Sequence, residues 1–185
     1  MRYLMLIPAA LAIACGTDNT DEMQADALLD TATISAPGPV TAMLRDSAGR
    51  DIGLLTLSQA GGDSGIRVLG RLVGFEQGSR ALHIHTTGSC SPDFAAAGPH
   101  WNPTGKEHGA DNANGPHLGD LQDAEFQSDS SASYDAVTAG GMLRGANGLL
   151  DADGAALVLH TNSDDRRTDP DGGSGTRIAC GVISS

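Results

Sequence analysis

Aromatic residues make up only 3% of this 185-residue chain, so a core has to be assembled from Val, Leu, Ile and Ala. Positive charge is also scarce: 11 Lys and Arg face 23 Asp and Glu, a formal net charge of −12. That balance argues against holding nucleic acid or an anionic membrane through a basic face. Past Pro37 no stretch keeps helical periodicity, which excludes a helical bundle. Cysteine is limited to three residues, an odd number. Glycine, in contrast, is abundant at 25 residues, so much of the chain must turn.

The N-terminus has the order of a secretory signal. Met1-Arg2 is followed by an apolar run over 3–14 and then by Cys15, so residues 1–14 are read as a signal peptide whose removal leaves an exported chain. Leu11-Ala12-Ile13-Ala14-Cys15 resembles a bacterial lipoprotein signal, in which Cys15 is lipidated. Ala12-Ile13-Ala14 also matches ordinary A-x-A cleavage to a soluble product. The odd cysteine favours lipidation, because an exported protein with three Cys leaves one over unless it has another use. Residues 15–36, with Asp18, Asp21, Glu22, Asp26 and Asp30, read as an acidic flexible tether. The expected location is the periplasm or cell envelope, with the membrane met only through that anchor. Residues 37–185 are long enough for one domain.

Within that domain, short apolar runs at 40–44, 52–57, 66–73, 81–85, 156–160 and 177–183 are separated by Gly- and Asp-rich connectors such as 46–49, 61–65 and 151–154. This pattern predicts an all-β antiparallel sandwich or barrel. Residues 86–119 have no periodicity and are too long for an ordinary connector, so they are expected to carry function. His100, His108, His117 and Cys90 lie there.

No histidine precedes His83; the six are His83, His85, His100, His108, His117 and His160, with Asp120 close behind His117. Alternation along a strand sends His83 and His85 to one face and Ile84 to the other. An isolated H-x-H is more often a surface pair, and a lone His160 more often a hydrogen-bonded histidine. His108, His117 and Asp120 in a Gly/Asn-rich loop say more, since a loop can bend them around one ion. Six imidazoles and a carboxylate can fill one tetrahedral zinc position and one nitrogen-rich copper position, provided one ligand is shared.

Read together, these residues resemble the copper,zinc superoxide dismutase family from about Pro39 onward. Ala81-Leu82-His83-Ile84-His85 is similar to the family's copper strand, and Ala97-Gly98-Pro99-His100-Trp101-Asn102-Pro103 to the segment around its bridging histidine. His117-Leu118-Gly119-Asp120-Leu121 is similar to the close of its zinc loop, Leu157-Val158-Leu159-His160 to its last copper ligand, and the stretch 175–183 to its C-terminal signature. The resemblance implies an eight-stranded antiparallel Greek-key β-barrel, an immunoglobulin-like sandwich with long metal-binding loops. It implies copper on His83, His85, His100 and His160, and zinc on His100, His108, His117 and Asp120. It further implies a Cys90–Cys180 disulfide, catalytic roles for Arg177 and the bridging His100, and Asp164 as the carboxylate that orients His83 and His108. The implied reaction is dismutation of superoxide to oxygen and hydrogen peroxide.

The segment between His160 and Arg177 departs from the longer animal-type loop and lacks lysine, which leaves Arg166 and Arg167, and more distantly Lys106, as further steering charges. Asp169 and Asp171 read as turn residues. A non-catalytic copper- or zinc-binding or delivery protein on the same fold is the alternative, although it would usually lack a copper ligand or Arg177. A zinc hydrolase would need an open zinc position and a neighbouring base. The motifs leave open whether the chain forms a homodimer.

Overall fold

Alternation of apolar and polar residues builds the first strands, and part of the core lies along them. The computed structural model describes residues 40–61 and 65–184. The signal segment 1–14, Cys15 and the tether 15–36 lie outside the described residues. Strand β1 (Val40–Asp46) turns Val40, Ala42 and Leu44 inward, and β3 (Ile66–Val73) does the same with Ile66, Val68 and Leu72. Between them, β2 (Asp51–Gln59) buries Ile52, Leu55 and Leu57. Its register with β1 shifts between Leu44 and Arg45, and such an irregularity lets Ile52 and Leu55 share a face despite their odd spacing.

The remaining strands are β4 (Gly78–Arg80), β5 (Leu82–His85), β6 (Ala124–Phe126), β7 (Ser131–Val137), β8 (Ala155–His160) and β9 (Arg177–Ile183). All pairings are antiparallel, in the order β5-β8-β9-β1-β2-β3-β7, with β4 and β6 forming a separate pair. Only Ala81 separates β4 from β5. Counted as one bent run, they bring the strands among the described residues to the expected eight. The pairs β3–β7, β5–β8 and β9–β1 join strands far apart in sequence, the Greek-key arrangement. Among the described residues the helical content consists of one short 3-10 turn, Phe94–Ala97.

Strands β5 and β8 differ from the rest in being buried on both faces. Ile84, Leu157 and Leu159 enter the core, while on the opposite face Ala156 and Val158 pack with Ala97, Cys180, Cys90 and Phe94. The segment 86–120 satisfies the open edge of β5: Trp101 N–H donates to the Ile84 carbonyl at 2.8 Å, Ile84 N–H to Gly119 at 2.9 Å, and Gly119 N–H to Trp101 at 2.8 Å. An edge strand with unpaired N–H and C=O groups would otherwise invite association. The same stitching sets His100 opposite His85 and Asp120 opposite His83. A disulfide between Cys90 and Cys180, with Cα atoms 5.9 Å apart, ties the start of the loop to β9.

Candidate metal centre

All six imidazoles are buried, from 0% to 6% exposed, and they converge over the outer face of β5 and β8. His83, His85, His100 and His160 can each present one donor atom within a 4.8 Å cluster, and His100, His108, His117 and Asp120 form a second such cluster. His100 belongs to both. Its Nδ1 faces Asp120 Oδ1 at 2.9 Å, while its Nε2 is buried without a hydrogen-bond partner.

The other rings have the same asymmetry, one nitrogen held and one left over. His85 Nδ1 donates to the Gly98 carbonyl at 2.8 Å, which leaves Nε2 unpaired. His160 Nδ1 lies 3.1 Å from Ser174 Oγ and 3.4 Å from the Gly175 carbonyl, which again leaves Nε2. His83 is held through Nε2, 3.3 Å from Asp164 Oδ2, and keeps Nδ1 free. A carbonyl can only accept, so the ring nitrogen facing it carries the proton and the opposite nitrogen offers a lone pair. Four lone pairs thus point into one small buried volume. Buried polar atoms without partners cost free energy unless something else binds them, and a metal ion of imidazole preference fits this set.

At the second cluster, three nitrogens gather around one oxygen. Asp120 Oδ1 lies 2.9 Å from His100 Nδ1, 3.0 Å from His108 Nδ1 and 3.2 Å from His117 Nδ1. For His108 and His117 the contact is short but not directed as a hydrogen bond, and both Nδ1 atoms count as unpartnered. Ligands 2.0–2.1 Å from a tetrahedral ion sit about 3.3 Å apart, close to this spacing. Asp120 Oδ2 is meanwhile fixed by the N–H groups of Gly109, at 2.9 Å, and His117, at 3.0 Å.

Asp164 joins the two clusters. Its Oδ1 accepts from His108 Nε2 at 2.9 Å and its Oδ2 from His83 Nε2, so one carboxylate orients a ring of each set, an arrangement that supports metal ligands. Gly172, at φ +65°, covers this contact: a Cβ there would collide with Asp164 and lie 2.6 Å from His108 Nε2. Asp123, 41 residues from Asp164, accepts the Asp164 N–H at 3.1 Å and the Ser79 hydroxyl at 2.6 Å.

Arg177 opens β9, an interior strand. It donates from Nη1 to the Phe94 carbonyl and from Nη2 to Gly98, each at 2.7 Å, and lines a cavity of about 340 Å³ together with His100 and His160. The other sequence-predicted cations do not join it there. Arg166 is paired with Asp111 at 3.0 Å, and Lys106 lines a different cavity on the His117 side. Asp169 is more than a turn residue, since it accepts the His108 N–H at 2.7 Å. The Gly98 and Gly175 carbonyls, Ser174 and Asp123 were not singled out from the sequence. Backbone carbonyls leave no residue signal, and a serine or aspartate in a polar loop has none of its own.

Residues 52–183 match the family model described as copper/zinc superoxide dismutase. The chain belongs to that family. A copper/zinc superoxide dismutase from Caulobacter vibrioides is 38% identical over 148 residues, covering 77% of this chain and 84% of the relative. A second from Aquifex aeolicus is 35% identical over 160 residues, covering 84% and 92%. Among solved structures, a superoxide dismutase-like protein from Bacillus subtilis superposes with a TM-score of 0.72 at 34% identity, covering 78% of this chain and 97% of that one. Dismutases of this family bind copper and zinc, the pair of ions that the two donor sets fit.

Electrostatics in this dismutase-family site separate the two sets. Burial, reinforced by the neighbouring histidines, lowers His85 to about 2, His100 to about 4 and His160 to about 3, with Asp120 partly offsetting the shift at His100. These rings are therefore neutral, as metal ligands must be. At His108 burial also disfavours charge, but the close carboxylates of Asp120 and Asp164 outweigh it and raise the ring to about 10. For Asp120 and Asp164 burial pushes upward, yet the histidine contacts win and hold both carboxyls well below their usual range. Two buried carboxylates around His108 call for positive charge there, supplied by a proton or by a metal ion.

Proposed function

We propose that this chain dismutates superoxide to oxygen and hydrogen peroxide at a copper held by His83, His85, His100 and His160, bridged through His100 to a zinc held by His100, His108, His117 and Asp120. The observation that carries the reading is His100, whose two nitrogens face separate donor sets, Nδ1 toward Asp120 and Nε2 unpaired toward the other three rings. Bound copper would supply the one-electron cycle that oxidises one superoxide and reduces the next, with zinc holding geometry. His100 takes up a proton at Nε2 in one half of the cycle and hands it to peroxide in the other, acting as general acid. Its Nδ1 would meanwhile stay with Asp120 in the zinc donor set. Arg177, anchored by two carbonyls, binds and orients a small anion with its remaining N–H groups.

Export belongs to the same proposal, with a lipid anchor at Cys15 in the periplasm or cell envelope. The Cys90–Cys180 disulfide supports an oxidising compartment, and the mass of the exported protein would reveal the anchor. Homodimer formation is checked by sedimentation.

The test is reconstitution with copper and zinc, followed by metal analysis and a superoxide assay. About one of each ion should bind per chain. His160→Ala should spare zinc and abolish turnover, whereas His100→Ala should disturb both metals. A second reading is a non-catalytic metal-binding protein on this fold, favoured by the similarity to a Bacillus subtilis protein described only as superoxide dismutase-like. Full loading without turnover would establish it.

A further inference from the structure

The cavity lined by His100 and His160 has two formally charged residues in its lining, Arg177 and Asp171. Asp171 is exposed at its mouth. The carboxylate is held by its own turn: Oδ1 accepts the Gly173 N–H and the main-chain carbonyl accepts the Ser174 N–H, each at 3.2 Å. Ser174 is also the residue whose hydroxyl meets His160 Nδ1. The turn that supports a histidine of the first donor set thus also fixes a negative charge at the entrance. Burial lowers the Arg177 guanidinium from its ordinary range, and the fields of Asp93 and then Asp171 partly offset it. Neither Arg166 nor Lys106 lines this cavity to restore the balance. An approaching anion therefore meets one positive and one negative wall in a molecule that is acidic overall.

We propose that Asp171 is a specificity-determining residue of this cavity, one that offsets Arg177 and lowers the site's attraction for small anions. The inference rests on the dismutase reading for its substrate, superoxide, but concerns any singly charged anion entering the cavity. Because Asp171 is at the water-facing end, its repulsion is screened by salt, whereas a structural effect of replacing it would not be. Asparagine keeps the acceptor for Gly173 and removes only the charge.

The experiment uses full-length protein loaded with copper and zinc, as wild type, Asp171→Asn and Asp171→Lys. Azide affinity is read from the copper spectrum and the second-order rate with superoxide from its decay, both across a range of ionic strength. At low salt Asp171→Asn should raise azide affinity and rate together by roughly 3-fold, with a larger gain for Asp171→Lys. Both gains should shrink toward unity at about 0.5 M salt. An azide affinity unchanged at low salt, or a gain that persists at high salt, overturns the proposal. If azide responds as expected but the wild type consumes no superoxide, the role of Asp171 stands and the dismutase reading falls.

Discussion

Gly172→Ala tests whether the Asp164 contact is the geometric support of the metal centre. At φ +65° an L-residue is in the left-handed region, which costs about 1–2 kcal/mol. The added methyl would also overlap Asp164 Oδ1 and approach His108 Nε2 to 2.6 Å, so the carboxylate has to move. Asp164 accepts from His108 at 2.9 Å, from the Arg166 N–H at 2.7 Å and from His83 at 3.3 Å. Losing one such charge-assisted bond costs about 1.5–3 kcal/mol, for a total near 3–5 kcal/mol. In a domain of this size each kcal/mol moves Tm by roughly 2–4 °C, so thermal unfolding of the metal-free variant should fall by roughly 10 °C. Zinc affinity, measured by competition with a chelator, should drop roughly 10- to 100-fold. Gly173→Ala is the control: its φ is +61°, but a Cβ there meets only Asp165 Oδ2, at 3.7 Å, so it carries the backbone cost without the collision. Equal Tm and equal zinc affinity in the two variants would refute the argument.

Replacing both Cys90 and Cys180 with Ser opens a loop of 90 residues, worth about 4–5 kcal/mol by chain entropy. Calorimetry should show a lower Tm, and free thiols at both positions in the exported wild type would refute the pairing there. Asp123→Ala should free the Asp164 N–H and weaken zinc binding roughly 10-fold, while Asp123→Asn, which keeps an acceptor, should recover most of it; equal losses would remove Asp123 from the support. The metal-free protein should be most stable near pH 6.5. Below that pH the unfolded chain takes up protons that the folded His85, His100 and His160 refuse down to about 2, 4 and 3, so stability is lost as pH falls. Above it, the stability from His108 is lost as pH rises toward its folded value of about 10. Thermal scans from pH 4.5 to 9 that show no such maximum would contradict the burial argument.

Strands with strong apolar alternation were legible in the sequence: the run 66–73 coincides with β3 and the run 177–183 with β9. Strand β7 was not. Its inward residues are Ala132, Tyr134 and Ala136, two of them alanines that give little periodic signal, and its place beside β3 comes from pairing rather than propensity. The short strands β4 and β6 escaped for a similar reason, being three residues each. The functional importance of 86–119 could be read from its length and histidines, but not the way its backbone closes the edge of β5.

By itself the sequence determined the chemistry available: six imidazoles, a set of carboxylates, one arginine in a C-terminal strand, and an H-x-H pair sent to one face by strand geometry. These are matters of residue type and local alternation, which neighbours in the chain decide. Tertiary structure alone decided which nitrogen of each ring is free, because the choice depends on carbonyls and carboxylates brought in from distant segments: Gly98 for His85, Gly175 for His160, Asp164 for His83 and His108. It also decided that Asp171 and Arg177 line one cavity. A lone pair acquires direction only when its ring is held, and in this protein the holding groups come mainly from loops whose positions follow from packing over β5 and β8.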